Sequence, residues 1–264
     1  AAGLALSGNI VYTYTFANFT VLRCLEQIRN DACYHKANVK ILGVGSGLTY
    51  GSQGMTHHGT EDLAAVGALP NMTVFCPADP VETELAVRAA AKLEGPCYIQ
   101  LRKSGEEAIH AKAPAFKIGK AIRVRGGKDV TLLGTGWITH NLLKAADLLE
   151  KDGISAGVLS FPTLKPFDEA SVRNAAKVTH GIVTVEENTT EFLGKAAAKA
   201  LVTGGCPAPL LILSLGEGFP TPVGCQEYML RKAGLDPEGI RKAIKRFIKD
   251  KIPKKRPKTL KNSL

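Results

Sequence analysis

Apolar residues in this chain gather into short β-rich runs separated by amphipathic stretches. Residues 10–15 read as a strand, residues 39–44 form a compact apolar run, and 73–76 and 97–102 repeat the pattern. Val21, Leu22, Leu25, Ile28 and Ala32 fall on one helical face. A helix over 80–93 is announced by Asp79-Pro80, a capping residue followed by a proline whose missing N–H costs nothing there. Thr60, Glu61 and Asp62 mark another helix start. Strands alternating with helices predict a parallel sheet covered on both faces. Residues 106–120 show no period and read as a linker. A second unit follows, with strands at 130–133, 156–161, 181–185 and 210–215 and helices near 137–151, 168–177 and 191–202. Ile138, Leu142, Ala145 and Leu149 form a buried stripe, and Ile240, Ile244, Phe247 and Ile248 seam a last helix. The expected fold is α/β, with two three-layer α/β/α domains and mainly parallel sheets. The expected division is 1–105, a linker at 106–120, 121–249, and a basic disordered tail at 250–264. The first eight residues read as the last turns of a helix stopped by Gly8, so the chain is expected to begin within an element.

Charge changes this picture only at one end. Residues 241–264 hold 11 Lys and Arg against one acid, Asp250, while the first 240 residues hold 23 of each sign. The net charge of +10 therefore belongs to the tail, and nucleic-acid binding by the body has no electrostatic support. The basic helix and tail suit nucleic acid, an acidic partner subunit or an anionic membrane, or serve as a solvated solubility tail. No apolar run approaches the roughly 20 residues of a membrane span. The six cysteines show no metal spacing, and Cys76 and Cys97 read as buried free thiols, which fits a reducing cytoplasm.

Candidate chemistry centres on the glycine-rich loop Gly51-Ser-Gln-Gly-Met-Thr-His57-His58. Histidine titrates near neutrality and trades protons in transition states. The pair reads either as loop histidines with structural partners or as a site from which one ring faces substrate. Adjacent side chains in extended backbone point opposite ways, so at most one is expected there. No third ligand lies near enough for a metal. Phe16 and Phe19 stand where a strand hands over to a helix, spaced either to grip a flat heterocycle or to fill a core. Arg102 and Lys103 end a strand, where a phosphate or carboxylate could be held. Glu186 and Glu187 end another, as catalytic acids or as a contact between domains or subunits. Gly43-Val-Gly45-Ser-Gly47 matches a dinucleotide turn only loosely.

In order and spacing, Ala1-Ala-Gly-Leu-Ala, Thr15-Phe-Ala-Asn-Phe19, Glu26-Gln-Ile-Arg29, Asn38-Val-Lys-Ile41, Gly54-Met-Thr-His57, Glu61-Asp62, Leu69-Pro-Asn-Met72 and Pro77-Ala-Asp79 resemble the thiamine-diphosphate-dependent transketolase family. Gly134-Thr-Gly136, Thr163-Leu-Lys-Pro166 with Asp168, and Thr184-Val-Glu-Glu187 extend the resemblance to about the start of the tail. It implies a pyrimidine-binding domain followed by a transketolase C-terminal domain. By motif position Phe16 and Phe19 would lie against the cofactor's aminopyrimidine, and His57 would stand beside the substrate. Lys103 would replace the family's phosphate-binding arginine, with Gln53, His58 and Arg102 completing a substrate-binding set. The resemblance further implies a transferase moving a two-carbon ketol unit between sugars or sugar-like compounds.

The departures from the family carry information of their own. The position of the family's cofactor-activating glutamate falls ahead of Ala1, so the sequence as given lacks it, and the Gly-Asp-Gly to Asn-Asn signature for Mg2+ (or Ca2+) and diphosphate is absent. The resemblance thus implies an N-terminal transketolase subunit as partner, holding the metal, with a dimer of such heterodimers as the assembly. The family's usual histidine is Gly45 here, and its usual Glu-Asp pair is Ser52-Gln53. These replacements remove groups that read a sugar's hydroxyls and phosphate. Two alternatives remain open at this level: the β-subunit of a 2-oxoacid dehydrogenase decarboxylating component, and a non-catalytic subunit that keeps the fold.

Overall fold

Strand β1 (Val11–Phe16) lies parallel to β2 (Val39–Val44), with Phe16 opposite Val44. β2 pairs with β4 (Cys97–Leu101), and β4 with β3 (Thr73–Phe75), all in parallel. The carboxyl ends of β1, β2 and β4 therefore share one edge, where α/β sheets bind ligands. The computed structural model describes residues 1–103, 105, 107–189 and 192–252. The basic tail beyond 252 lies outside the described residues, as does Glu106 of the expected linker.

Around this sheet run α1 (Ala2–Leu6), α2 (Ala17–Val21), α3 (Leu25–Gln27), α4 (Asp62–Gly67) and α5 (Pro80–Ala91). α1 gives way at Gly8, whose φ of +91° is open to glycine at no steric cost. The helix expected across 21–32 is interrupted after α2, and α3 then widens into a π-helical run, Ile28–Tyr34. That widening buries Ile28, Ala32 and Cys33 together, at the i, i+4, i+5 spacing a π turn brings onto one face. The cap of α5 forms as its sequence predicts, Asp79 Oδ1 accepting from Glu82 N at 2.7 Å.

The second sheet has the order β10-β9-β6-β7-β5. Its strands are β5 (Ile122–Arg125), β6 (Val130–Gly134), β7 (Ala156–Ser160), β9 (Gly181–Val185) and β10 (Leu210–Leu213), with only β5 antiparallel. Helices α6 (Thr139–Lys151), α7 (Glu169–Val178), α8 (Phe192–Thr203), α9 (Gln226–Lys232) and α10 (Pro237–Lys251) cover it. Ile138, Leu142, Ala145 and Leu149 are buried as one stripe, and α10 lays Ile240, Ile244 and Phe247 into the same core against α6. Among the described residues no helix is long and apolar enough to cross a membrane.

The two halves exchange parts. Strand β8 (Thr163–Lys165), from the second half, adds to the first sheet antiparallel to β3. In return Leu48, from the loop after β2, is fully buried in the second half's core beside Leu132, Val185 and Met229. The connecting stretch is pinned as well. Asp79 Oδ2 accepts from Ile109 N and His110 N at 2.8 and 3.2 Å, the His110 ring meets Glu82 at 2.9 Å, and the His140 ring meets the Glu107 carbonyl at 2.9 Å.

Candidate functional site

At the shared carboxyl edge the structure brings four rings together. Phe16 closes β1 and Phe19 sits one turn into α2, their centroids 5.4 Å apart and edge to face. The His57 ring lies 5.3 Å from each, and Tyr50 stands 4.9 Å from Phe16. All four are half-buried, so the cluster is a wall with an open side. Thr56 Oγ1 lies 3.0 Å from His57 Nδ1, which fixes that ring. Asn18 Nδ2 donates to the carbonyls of Met55 and Thr56 at 3.4 and 3.3 Å, tying the histidine loop to α2. Asn18 Oδ1 is buried with no donor among the described residues. Aromatic faces beside an unmet acceptor suit a flat nitrogen heterocycle.

The loop from 45 to 57 is shaped by close approaches. Gly45 has φ of +93°, and a Cβ there would run into the Tyr50 ring. Tyr50 thus fills the space of a side chain at position 45, and burial, with Tyr14 nearby, holds its phenol above the usual range. Gln53 is exposed on this loop. His58 departs from the expected substrate set. Its ring is buried, with Nε2 3.1 Å from the Gly51 carbonyl, so it braces the loop while its neighbour faces the rings.

Arg102 and Lys103 leave the end of β4 on the same edge. Lys103 is exposed. Arg102 turns toward the second half, where Nη2 donates to Gln226 Oε1 at 2.7 Å and the guanidinium lies 4.1 Å from the Trp137 ring centroid. Gln226 Nε2 donates to Glu187 Oε1 at 2.8 Å, and the same oxygen accepts from Leu48 N at 2.7 Å. Burial pushes the Glu187 carboxyl up to about 7, against the pull of Gln226, the Leu48 amide and Arg102. Glu186 instead caps α8, accepting from Leu193 N and Gly194 N at 3.0 and 2.9 Å. The acid pair is thus a contact within and between halves.

Behind the loop, Asp62 is fully buried and accepts from the Tyr98 hydroxyl and from Gln100 Nε2. Burial raises its carboxyl to about 6. Tyr50, Thr56, Asn18 and Gln226 were not singled out by sequence reasoning. Tyr50 lies where only the fold shows its ring returning over Gly45, and Gln226 is distant in sequence from Arg102 and Glu187, which it bonds. Among the described residues no group of three His, Cys, Asp or Glu could hold a metal ion.

Two mainly parallel α/β units joined by exchanged parts, the first carrying an aromatic cluster at its carboxyl edge, define a two-domain α/β protein with a candidate site for a flat heterocycle. Comparison with known families makes this specific: residues 1–105 match the transketolase pyrimidine binding domain and residues 119–240 the transketolase C-terminal domain. The chain belongs to the transketolase family, whose members depend on thiamine diphosphate. It is 35% identical over 247 residues to a putative transketolase C-terminal section of Methanocaldococcus jannaschii, covering 92% of this chain and 77% of that protein. It is 36% identical to the 6-deoxy-6-sulfo-D-fructose transketolase subunit SqwH of Clostridium sp., covering 92% and 75%. Among solved structures it resembles a split gene transketolase described as an inactive beta4 tetramer, with TM-score 0.83, 36% identity, and 94% and 79% coverage.

Proposed function

We propose that this chain is the C-terminal subunit of a two-component transketolase, transferring a two-carbon ketol unit between sugar phosphates or sugar-like compounds. The observation that carries the reading is the convergence of Phe16, Phe19 and His57 on one sheet edge in a chain of this family. Phe16 and Phe19, with Asn18, would hold the aminopyrimidine of thiamine diphosphate. When bound, that cofactor supplies the electron sink that lets the ketose carbon–carbon bond break. His57, its Nδ1 bonded by Thr56, presents Nε2 to exchange protons with substrate hydroxyls. Gln53 on the loop and Lys103 beyond β4 would read the sugar and its phosphate. Arg102 acts one step back, through Gln226.

The metal and diphosphate would be held by an N-terminal partner subunit. Relatives named as subunits or as a C-terminal section support this, as does the solved relative described as an inactive tetramer. Similarity to transketolase subunits favours this reading over a 2-oxoacid dehydrogenase β-subunit or a non-catalytic subunit. The test is reconstitution. The chain alone with thiamine diphosphate and Mg2+ should show no turnover, and adding the partner should give ketol transfer from a ketose phosphate to an aldose phosphate. Turnover by the chain alone would refute the partition. Decarboxylation of a 2-oxoacid by the pair, without ketol transfer, would refute the reaction.

A further inference from the structure

The loop that ends in His57 is gripped at several points by the second half of the chain. Leu48, three residues past Gly45, is fully buried in that half's core. Its amide donates to Glu187 Oε1 at 2.7 Å. Gly47, at φ of +55°, lies so close to the Glu187 side chain that a Cβ at 47 would collide with it. A Cβ at Gly51 would meet the Gly224 carbonyl and Met229 Sδ. Past the histidines, Thr189 N and Oγ1 both donate to the Thr60 carbonyl, at 3.1 and 3.2 Å. Each contact crosses from the segment after β9, or from α9 and its approach, to the loop.

Glu187 is central among them. It is a buried carboxylate that accepts two hydrogen bonds through one oxygen, from the loop amide and from Gln226, and Gln226 carries Arg102 on its other side. A buried carboxylate is costly to keep, and a buried amide left without its acceptor costs about 1–3 kcal/mol. Removing the carboxylate should therefore free the loop before it unfolds either sheet, whose ladders are made elsewhere.

We propose that Glu187 is a positioning residue for the proposed reaction: from the second domain it fixes the 45–57 loop, and so sets where Tyr50, Gln53 and His57 stand relative to the sugar. This gives the second domain a task in the proposed site although it contributes none of the four clustered rings.

Hydrogen exchange of the intact chain, followed by mass spectrometry, tests the placement without any need for activity. In Glu187→Ala the amides of 45–54 should exchange at least tenfold faster than in the wild type, with β6 and β9 unchanged. Glu187→Gln keeps an acceptor for Leu48 N and should restore protection. Gln226→Leu, which removes the bonds Gln226 makes to Glu187 and Arg102 but leaves the Leu48 amide its acceptor, should give an intermediate rate if Glu187→Ala fails to fold. Equal loop protection in wild type and Glu187→Ala overturns the proposal, as does a loss spread evenly over both sheets. In the reconstituted complex, the arm that rests on the proposed function, Glu187→Ala should raise KM for the ketose about tenfold and change kcat less than threefold. An unchanged KM with loosened loop amides also overturns it. Absence of ketol transfer by the wild-type complex would instead refute the proposed function and leave the exchange result standing.

Discussion

The chain should become more stable as the pH falls from about 7.5 to about 5, the reverse of what a protein held by exposed carboxylates does. The perturbation is pH itself, and two buried acids set the sign. Burial raises Asp62 from 3.8 to about 6 and Glu187 from 4.5 to about 7, the latter even with Arg102 facing it across Gln226. Each therefore binds its proton more tightly folded than unfolded. Between the two values the folded state carries the extra proton, and stability falls as pH rises. Acidifying across the window should return about 1 kcal/mol through Asp62 and about 2 kcal/mol through Glu187. His110, raised chiefly by its hydrogen bond to Glu82, acts in the same sense: its contribution is complete below 6.5 and lost as pH rises through the folded value. The opposing groups titrate lower. Asp152, pulled to about 2 by Arg241, gives stability that is lost only as pH falls from 3.8 through that value. Urea unfolding of the full chain, followed by far-ultraviolet circular dichroism at half-unit steps of pH, is the assay. Asp62→Asn should flatten the lower part of the rise and leave the part near neutrality. A midpoint that stays level or drops from pH 7.5 to 5 would refute the reasoning.

His57→Ala should lower ketol transfer by the reconstituted complex about 10²- to 10⁴-fold, the range for a lost acid–base group. His58→Ala should instead lower the melting temperature by several degrees, because the Gly51 carbonyl loses its ring partner. Thermal melts beside steady-state rates separate the two. Gly45→Ala places a Cβ against the Tyr50 ring at a positive φ, and should cost about 2 kcal/mol or more in urea unfolding. Removing residues 251–264 should leave the rate of the complex within twofold at physiological salt, and a large loss would show that the basic tail docks the partner.

Much of the architecture was legible because buried parallel strands leave continuous apolar runs. The compact apolar run at 39–44 forms β2, and the stripe from Ile138 to Leu149 is buried as its spacing requires. What escaped reading was made by long-range partners. β8 is three residues long and is a strand only because β3 offers it an edge. The π-helical run at Ile28–Tyr34 answers to the sheet it packs on, and a regular helical period does not reveal it. At the site, Phe16, Phe19 and His57 were found from motif position, and the fold brings their rings together. His58 could not be told from His57 by residue type; the difference is which side of the backbone each ring takes. Arg102 was placed at the right sheet edge, but its hold on Gln226, 124 residues away, has no local signature.

The exchange of β8 for Leu48 bears on how the molecule can be cut. A protease acting on the stretch between β4 and β5 would sever the backbone and still release no fragment, since each piece keeps an insert lodged in the other. Nicked material should travel through a sizing column at the intact mass and melt in one transition. An isolated first domain made by truncation at the linker would lose the neighbour of β3 and leave that strand's edge unpaired, so a usable one must carry residues 163–165 as a grafted strand.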